Sequence, residues 1–328
     1  MAGLEIRSPS PTADLVLICV NPNAGSGSGK DQVEQLKKLL EQDGFRVEVI
    51  SNLEILCSRA AAAMAEDRLR VVVAAGGDGT VSLLLNLTGP GTPLTILPLG
   101  TENLLSKYLA IRPGPESVAN LIRQGLTMDL DVGRANGTLF SLMFSCGFDA
   151  DVVQRLHARR RGHIRHLSYV RPIIESLFRY DFPEVRISWS GEDRAGAVGF
   201  THSARWTFVV NLPCYAGGLK LAPDASGMDG LLDVCTFRRG SIVNGLRYLA
   251  GVVLGKHQGW ADCVTGTTAR LRVDSDKPVP YQLDGDPGGE LPVEIDVLPG
   301  RLTIMMPAHA ALAKGADARS SWSEIRGP

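Results

Sequence analysis

Four short segments of this 328-residue chain gather glycine, hydroxyl and carboxylate groups in patterns suited to phosphate chemistry. The first is Asn21-Pro22-Asn23-Ala24-Gly25-Ser26-Gly27-Ser28-Gly29-Lys30. Its glycines let backbone N–H groups approach a phosphate, and a following helix start adds a favourable field. It is not a Walker A loop, because Ala24 and Asp31 stand where that motif needs Gly and Ser/Thr. Lys30 likewise replaces the last glycine of a dinucleotide fingerprint. A plain flexible loop is the alternative. The second segment, Gly76-Gly77-Asp78-Gly79-Thr80, sets one carboxylate among bare backbone, beside a hydroxyl able to cap the next helix. As a turn alone it would be costly in backbone entropy. The third, Pro98-Leu99-Gly100-Thr101-Glu102-Asn103, offers a hydroxyl and an amide to the same phosphate chain, or serves as an ordinary helix cap. The fourth is Asp284-Gly285-Asp286-Pro287, for which a tight turn is the simplest reading. Gly288 excludes an EF-hand there.

These segments need elements to hold them. Leu15–Val20, Phe45–Ile50, Val71–Ala75 and Thr95–Leu97 read as strands. Helical patterns at Asp31–Gln42, Arg59–Glu66 and Val81–Leu87 alternate with them. That rhythm predicts a parallel sheet, with ligands beyond the carboxyl ends of its strands. After about residue 125, strand-like runs dominate: Met128–Val132, Thr138–Ser145, Val185–Trp189, Trp206–Asn211, Leu231–Phe237, Ala269–Val273, Val279–Leu283, Val293–Val297 and Leu302–Met306. Helical stretches at Val152–Tyr180 and Ile242–Leu254 interrupt them. We therefore expect an α/β nucleotide-binding domain over 13–125, a mostly antiparallel β-rich domain over 126–307 and a polar tail over 308–328 that packs back on the first domain.

Composition narrows the class. With 34 basic and 35 acidic side chains the net charge is −1, which argues against a dedicated nucleic-acid binder. The six cysteines form no CxxC pair and read as reduced thiols. No apolar run approaches the ~20 residues of a membrane span. Met1–Asp14 lacks the order of a signal peptide, so a cytoplasmic protein is expected. One local basic patch stands out: Arg155, Arg159, Arg160, Arg161 and Arg165 with His157, His163 and His166. It suits either peripheral contact with an anionic membrane surface or a solvated helix face.

Asn21–Gly25, Gly76–Thr80, Gly100–Asn103, Phe144–Asp149 and Asp284–Asp286, in that order, resemble the diacylglycerol kinase catalytic-domain family. That family includes diacylglycerol, sphingosine, ceramide and bacterial lipid kinases. The resemblance implies ATP as phosphoryl donor, magnesium, a lipid acceptor and an active site in the cleft between two domains. It assigns Asn21, Pro22, Asn23, Ala24 and Gly25, then Gly76, Gly77, Asp78, Gly79, Thr80, Val81 and Ser82, to ATP. Thr101 would lie beside the phosphates, and Ser51, after the second strand, near the ring. Asp78 would face the ligand cleft and help place the metal-bound nucleotide. Asp286 would be the general base. Ser226, Asp229 and Leu231 resemble a structural magnesium site, or else form a second Asp-Gly turn. Two residues depart from the pattern: Asp286 where Glu is usual, about 1.5 Å shorter in reach, and Leu104 where an Asp is usual. An NAD kinase shares the Gly-Gly-Asp-Gly cluster, and a catalytically silent nucleotide- or lipid-binding module is the remaining alternative.

Overall fold

A computed structural model describes residues 6–20, 27–158, 172, 175, 176, 179–192, 198–214 and 219–310. The chain forms two compact units, Met1–Leu130 with Gly300–Pro328, and Asp131–Pro299. It therefore leaves the first unit somewhat beyond residue 125 and re-enters it at Gly300, before the expected tail.

In the first unit, β1 (Leu15–Val20), β2 (Arg46–Ile50), β3 (Leu69–Gly76) and β4 (Leu94–Pro98) form a parallel sheet in the order β2-β1-β3-β4. Ile304, near the end of β16 (Val293–Met305), continues it in parallel beside Leu94. β1 and β3 are almost wholly apolar and buried, as expected of strands covered on both faces. The helices are α1 (Gly27–Gln42), α2 (Leu53–Ala65), α3 (Asp78–Leu87), α4 (Leu104–Tyr108) and α5 (Pro115–Gln124). α2 starts six residues before the helix expected at Arg59, because Asn52 caps it by accepting the N–H of Ile55 at 3.0 Å. The chain goes from β1 outward to β2, then back across to β3. The β1/β3 junction is thus the switch point at which open α/β sheets take ligands.

The second unit is antiparallel. One sheet runs β12 (Cys263–Thr268), β11 (Leu232–Phe237), β10 (Trp206–Val210), β7 (Met143–Cys146), β14 (Pro280–Leu283), β15 (Asp286–Glu290). The other pairs the start of β16 with β13 (Arg270–Asp274), β8 (Val185–Glu192) and β9 (Val198–Ala204). Phe144, Val209 and Leu232 from the first sheet share a core with Ile187, Leu271 and Ile295 from the second. β5 (Thr127–Ala135) turns into β6 (Thr138–Phe140) through Asn136-Gly137, both at positive φ, as the Asn-Gly pair predicts. The helices of this unit include α6 (Phe148–Ala158) and α7 (Ile242–Val253). Among the described residues no helix is long and apolar enough to cross a membrane.

The single strand expected over Thr138–Ser145 is instead two, since β6 and β7 pair in different sheets and the chain breaks at Ser141-Leu142. The two strands expected at Val293–Val297 and Leu302–Met306 are one, β16. Of the turn read over Asp284–Pro287, Asp284-Gly285 forms the turn, both at positive φ, and Asp286-Pro287 already belongs to β15 (Asp286–Glu290), paired with β14.

Candidate functional site

In the first unit the second and third glycine segments follow adjacent strands and meet. A Cβ on Gly100 would lie 2.6 Å from the Gly77 Cα, and one on Gly77 would lie 3.2 Å from the Gly100 Cα. Only two glycines allow backbones this close. The Leu99 N–H donates to the Gly76 carbonyl at 2.9 Å, extending the β3–β4 pairing into the loops. Gly77 begins α3 with its carbonyl accepting the Thr80 N–H at 2.9 Å, and among the described residues no side chain caps that first turn. The first N–H groups of α3 thus lack a side-chain cap at the end of β3, the arrangement that receives an anion. A Cβ on Gly29, in the first turn of α1, would reach 3.5 Å from Leu99, so that helix start adjoins the third segment.

Asp78 behaves differently from the expectation. Its carboxylate does not stand clear toward a ligand. It accepts the Leu104 N–H at 2.9 Å and the Leu105 N–H at 3.0 Å, capping α4. Burial raises this carboxyl above its usual range, and the two N–H donors oppose the rise. Asn103, at φ +50°, closes the same loop: its amide oxygen accepts the Gly100 N–H at 3.0 Å and its amide nitrogen donates to the Gly100 carbonyl at 2.8 Å. Leu104, which stands where the resembled family usually has Asp, contributes its backbone N–H to this lock. Thr101 and Gly79 are exposed, Ser82 is half-buried, and Thr80 and Val81 are buried. Ser51 is exposed just beyond β2. Asn21, Pro22, Asn23, Ala24 and Gly25 lie outside the described residues.

In the second unit Asp286 opens β15, its side chain 46% exposed, with one carboxylate oxygen 3.4 Å from His157 Nε2 on α6. Its neighbour Asp284 does structural work that sequence reasoning missed. At φ +51°, Asp284 accepts the N–H groups of Ser141, Leu142 and Met143 at 2.7, 2.8 and 2.9 Å, and the Ser141 hydroxyl at 3.0 Å. Burial pushes the Asp284 carboxyl up to about 6 against those donors. The gap between β6 and β7 is thus pinned beneath the hairpin that presents Asp286. Gln282 secures the turn from its other side, accepting the Gly285 N–H at 2.7 Å and donating to the Ser145 hydroxyl at 2.7 Å. Ser145 in turn hydrogen-bonds Asp149. Arg155 is held by Asp151 at 2.7 Å rather than standing free in a basic patch. Arg159, Arg160, Arg161, His163, Arg165 and His166 lie outside the described residues.

The Ser226–Leu231 segment gains a partner from far along the chain. Asp229 accepts the Leu231 N–H at 3.0 Å, and Asp131 accepts the adjacent Gly230 N–H at 2.7 Å. The Asp131 N–H donates to the Gly227 carbonyl at 2.7 Å, and the Asn211 amide donates to the Asp131 carbonyl at 2.8 Å. Burial, with the Asp131 charge adding to it, pushes the Asp229 carboxyl up to about 6. Among the described residues no group of three or more His, Cys, Asp or Glu side chains is disposed around a metal. The fold thus sets two carboxylates, Asp131 and Asp229, on the adjacent backbone N–H groups of Gly230 and Leu231. No spacing motif links Asp131 to Asp229, so only the folded chain reveals the pair.

Residues 15–135 match the diacylglycerol kinase catalytic domain, and residues 143–306 match the YegS C-terminal NAD kinase beta sandwich-like domain. The chain belongs to this family of lipid kinases. It is 26% identical over 302 residues to a diacylglycerol kinase of Bacillus subtilis, covering 90% of this chain and 97% of that protein. It is 29% identical over 303 residues to a diacylglycerol kinase of Mycobacterium tuberculosis, covering 90% and 96%. A solved diacylglycerol kinase structure from Bacillus anthracis superposes with a TM-score of 0.63 at 18% identity, over 92% of this chain and 99% of that one. At that identity the likeness speaks for the fold.

Proposed function

We propose that the protein is a kinase that transfers the γ-phosphoryl group of ATP to a lipid hydroxyl. The observation that carries this reading is the meeting of Gly77 and Gly100, which leaves bare backbone from two adjacent strand ends beside the uncapped start of α3. Such a surface takes a polyphosphate, and phosphoryl transfer asks mainly for positioning and charge neutralisation. In this reading Gly76–Ser82 and Thr101 hold the phosphates, with Asn21–Gly25 completing the cradle and Ser51 beside the ring. Asp78 acts through the loop it locks. Asp286 accepts the acceptor's hydroxyl proton as that oxygen bonds to the γ-phosphorus and the bond to the departing ADP oxygen breaks. His157 orients one oxygen of Asp286 and leaves the other for the substrate. Magnesium, when bound with ATP, neutralises phosphate charge. Asp229 and the backbone oxygens of Ser226 and Leu231, joined by Asp131, would hold a second ion in a structural role.

The test is transfer of the ATP γ-phosphate to a panel of diacylglycerol, a sphingoid base, other lipids and NAD, by wild type and Asp286→Asn. A lipid should be phosphorylated, and the Asn variant should lose roughly 10²–10⁴-fold in kcat with little change in KM for ATP. Asp286→Glu should be tolerated. Transfer to NAD alone would make the protein an NAD kinase. Transfer to nothing in the panel would leave a silent binding module.

A further inference from the structure

Helix α7 turns its aliphatic side outward. Eight large hydrophobic side chains are exposed among the described residues, and five of them, Val243, Leu246, Leu249, Val253 and Leu254, sit on this helix and its C-cap. Their exposure runs from 49% at Leu249 to 76% at Val243. By the 3.6-residue period they cover roughly a third of the helix circumference. A surface helix ordinarily buries such an arc and shows a polar one. Here the inner side is occupied differently. Gly245 and Gly251 lie flat on indole rings: a Cβ at either would come within 2.9 Å of Trp206 or 2.3 Å of Trp260 respectively. Tyr248 stacks on Phe237 at 4.2 Å between centroids. The helix is therefore firmly seated with its aliphatic arc facing away.

Basic groups flank that arc. Arg238, Arg239, Arg247, Trp260 and Asp262 line a cleft of about 480 Å³ at the foot of α7. Arg247 lies 4.2 Å over the Trp260 ring and bonds Asp262 at 2.6 Å, and Arg239 also approaches Asp262 at 3.6 Å. Arg247 and Arg239 approach the one carboxylate, Asp262, and Arg238 lines the same cleft, so it keeps a positive excess suited to a phosphate head. Lys256 adds another exposed cation just beyond the helix. An apolar arc bordered by cations is the pattern of a helix lying in the plane of a membrane interface.

We propose that α7 docks on an anionic bilayer, its aliphatic arc among the acyl chains and the Arg238–Arg239–Arg247 cleft on a lipid phosphate. Choosing a bilayer over another partner rests on the lipid-kinase reading. The docking surface itself is physically measurable without turnover, so the two fail separately. The experiment is sedimentation of the full chain with phosphatidylcholine vesicles, with and without part of the lipid replaced by phosphatidylglycerol. Binding should require the anionic lipid and weaken with salt. Leu246→Ser with Leu249→Ser should weaken binding at least ~10-fold, and Arg238→Gln with Arg239→Gln about 10-fold or more. Both pairs are surface changes and should keep the wild-type melting temperature. Both should also keep turnover on a short-chain acceptor dispersed below its aggregation threshold, while losing it on the same acceptor in vesicles. Unchanged vesicle binding in the serine pair overturns the proposal. So does a wild-type dimer in sedimentation velocity that the serine pair dissociates, since the arc would then cover a second copy of the chain. Absence of turnover with intact, α7-dependent vesicle binding would overturn the kinase reading alone.

Discussion

Asp78→Asn preserves the shape of the second glycine segment while changing one carboxylate oxygen into an NH2 group. The carboxylate now accepts two backbone N–H groups, from Leu104 and Leu105, one on each oxygen. An amide has one acceptor oxygen, so one of these donors would face another donor and lose its partner. Leaving such a part-buried N–H unmet costs about 1–3 kcal/mol. Removing a carboxylate whose burial is unfavourable offsets some of this. For a unit the size of the first one, melting by itself, the loss should lower Tm by roughly 3–9 °C. The functional effect should be larger, because α4 and the Gly100 loop are held in register by that carboxylate. A displacement near 1 Å in a positioning element can lower a rate by about 10²-fold. Thermal unfolding and steady-state kinetics on the same preparations check both. A variant that melts like wild type but has lost its activity would refute the reasoning, because Asp78 would then act on the nucleotide directly. A variant with parental turnover at saturating ATP and magnesium would remove any role for Asp78.

Gly100→Ala should weaken ATP binding by about tenfold or more while leaving most of the first unit folded, since its Cβ would stand 2.6 Å from the Gly77 Cα and force the loops apart; isothermal titration with a non-hydrolysable ATP analogue measures it. On the proposed magnesium role, Asp229→Asn should abolish the stabilisation by added magnesium, about 2.7 kcal/mol for a bound ion at 100 Kd, read as the loss of a magnesium-dependent rise in Tm. In EDTA that variant should melt at or above wild type, because a charge repelled by Asp131 is gone; a preserved magnesium shift would place the ion elsewhere. His202, buried against Thr236 at 2.7 Å, has its pKa lowered from 6.5 to about 4, mainly by burial. A depressed folded-state value means stability is present above pH 6.5 and is lost as pH falls toward 4, by up to about 3 kcal/mol. His202→Gln should flatten that part of the denaturation profile, and an unchanged slope would show that other groups carry it.

Much of the first unit was legible from residue order because its signals are local. The continuous apolar runs at Leu15–Val20 and Val71–Ala75 leave little alternative to buried parallel strands, and glycines directly after a strand mark where backbone must stay open. The two-unit plan and the change to antiparallel sheets were equally visible, since turn residues and period-two alternation are written in a few neighbours.

What only the tertiary structure decided are relations between distant residues and the aim of side chains. Composition could not separate Asp284 from Asp286, two acids around one glycine; the broken strand at Ser141–Met143 makes one a structural clamp and leaves the other exposed. Asp78 turned out to hold Leu104 and Leu105 because α4 starts where β4 delivers it, beside β3. Asp131 joins Asp229 through a backbone contact to Gly230 that no short pattern encodes. The strand at Asp286–Glu290 has poor intrinsic propensity and exists because β14 offers it an edge to pair with. The apolar run in α7 would normally have been assigned to a core. Two glycines on tryptophan rings seat its other side, and so the aliphatic arc is left facing out.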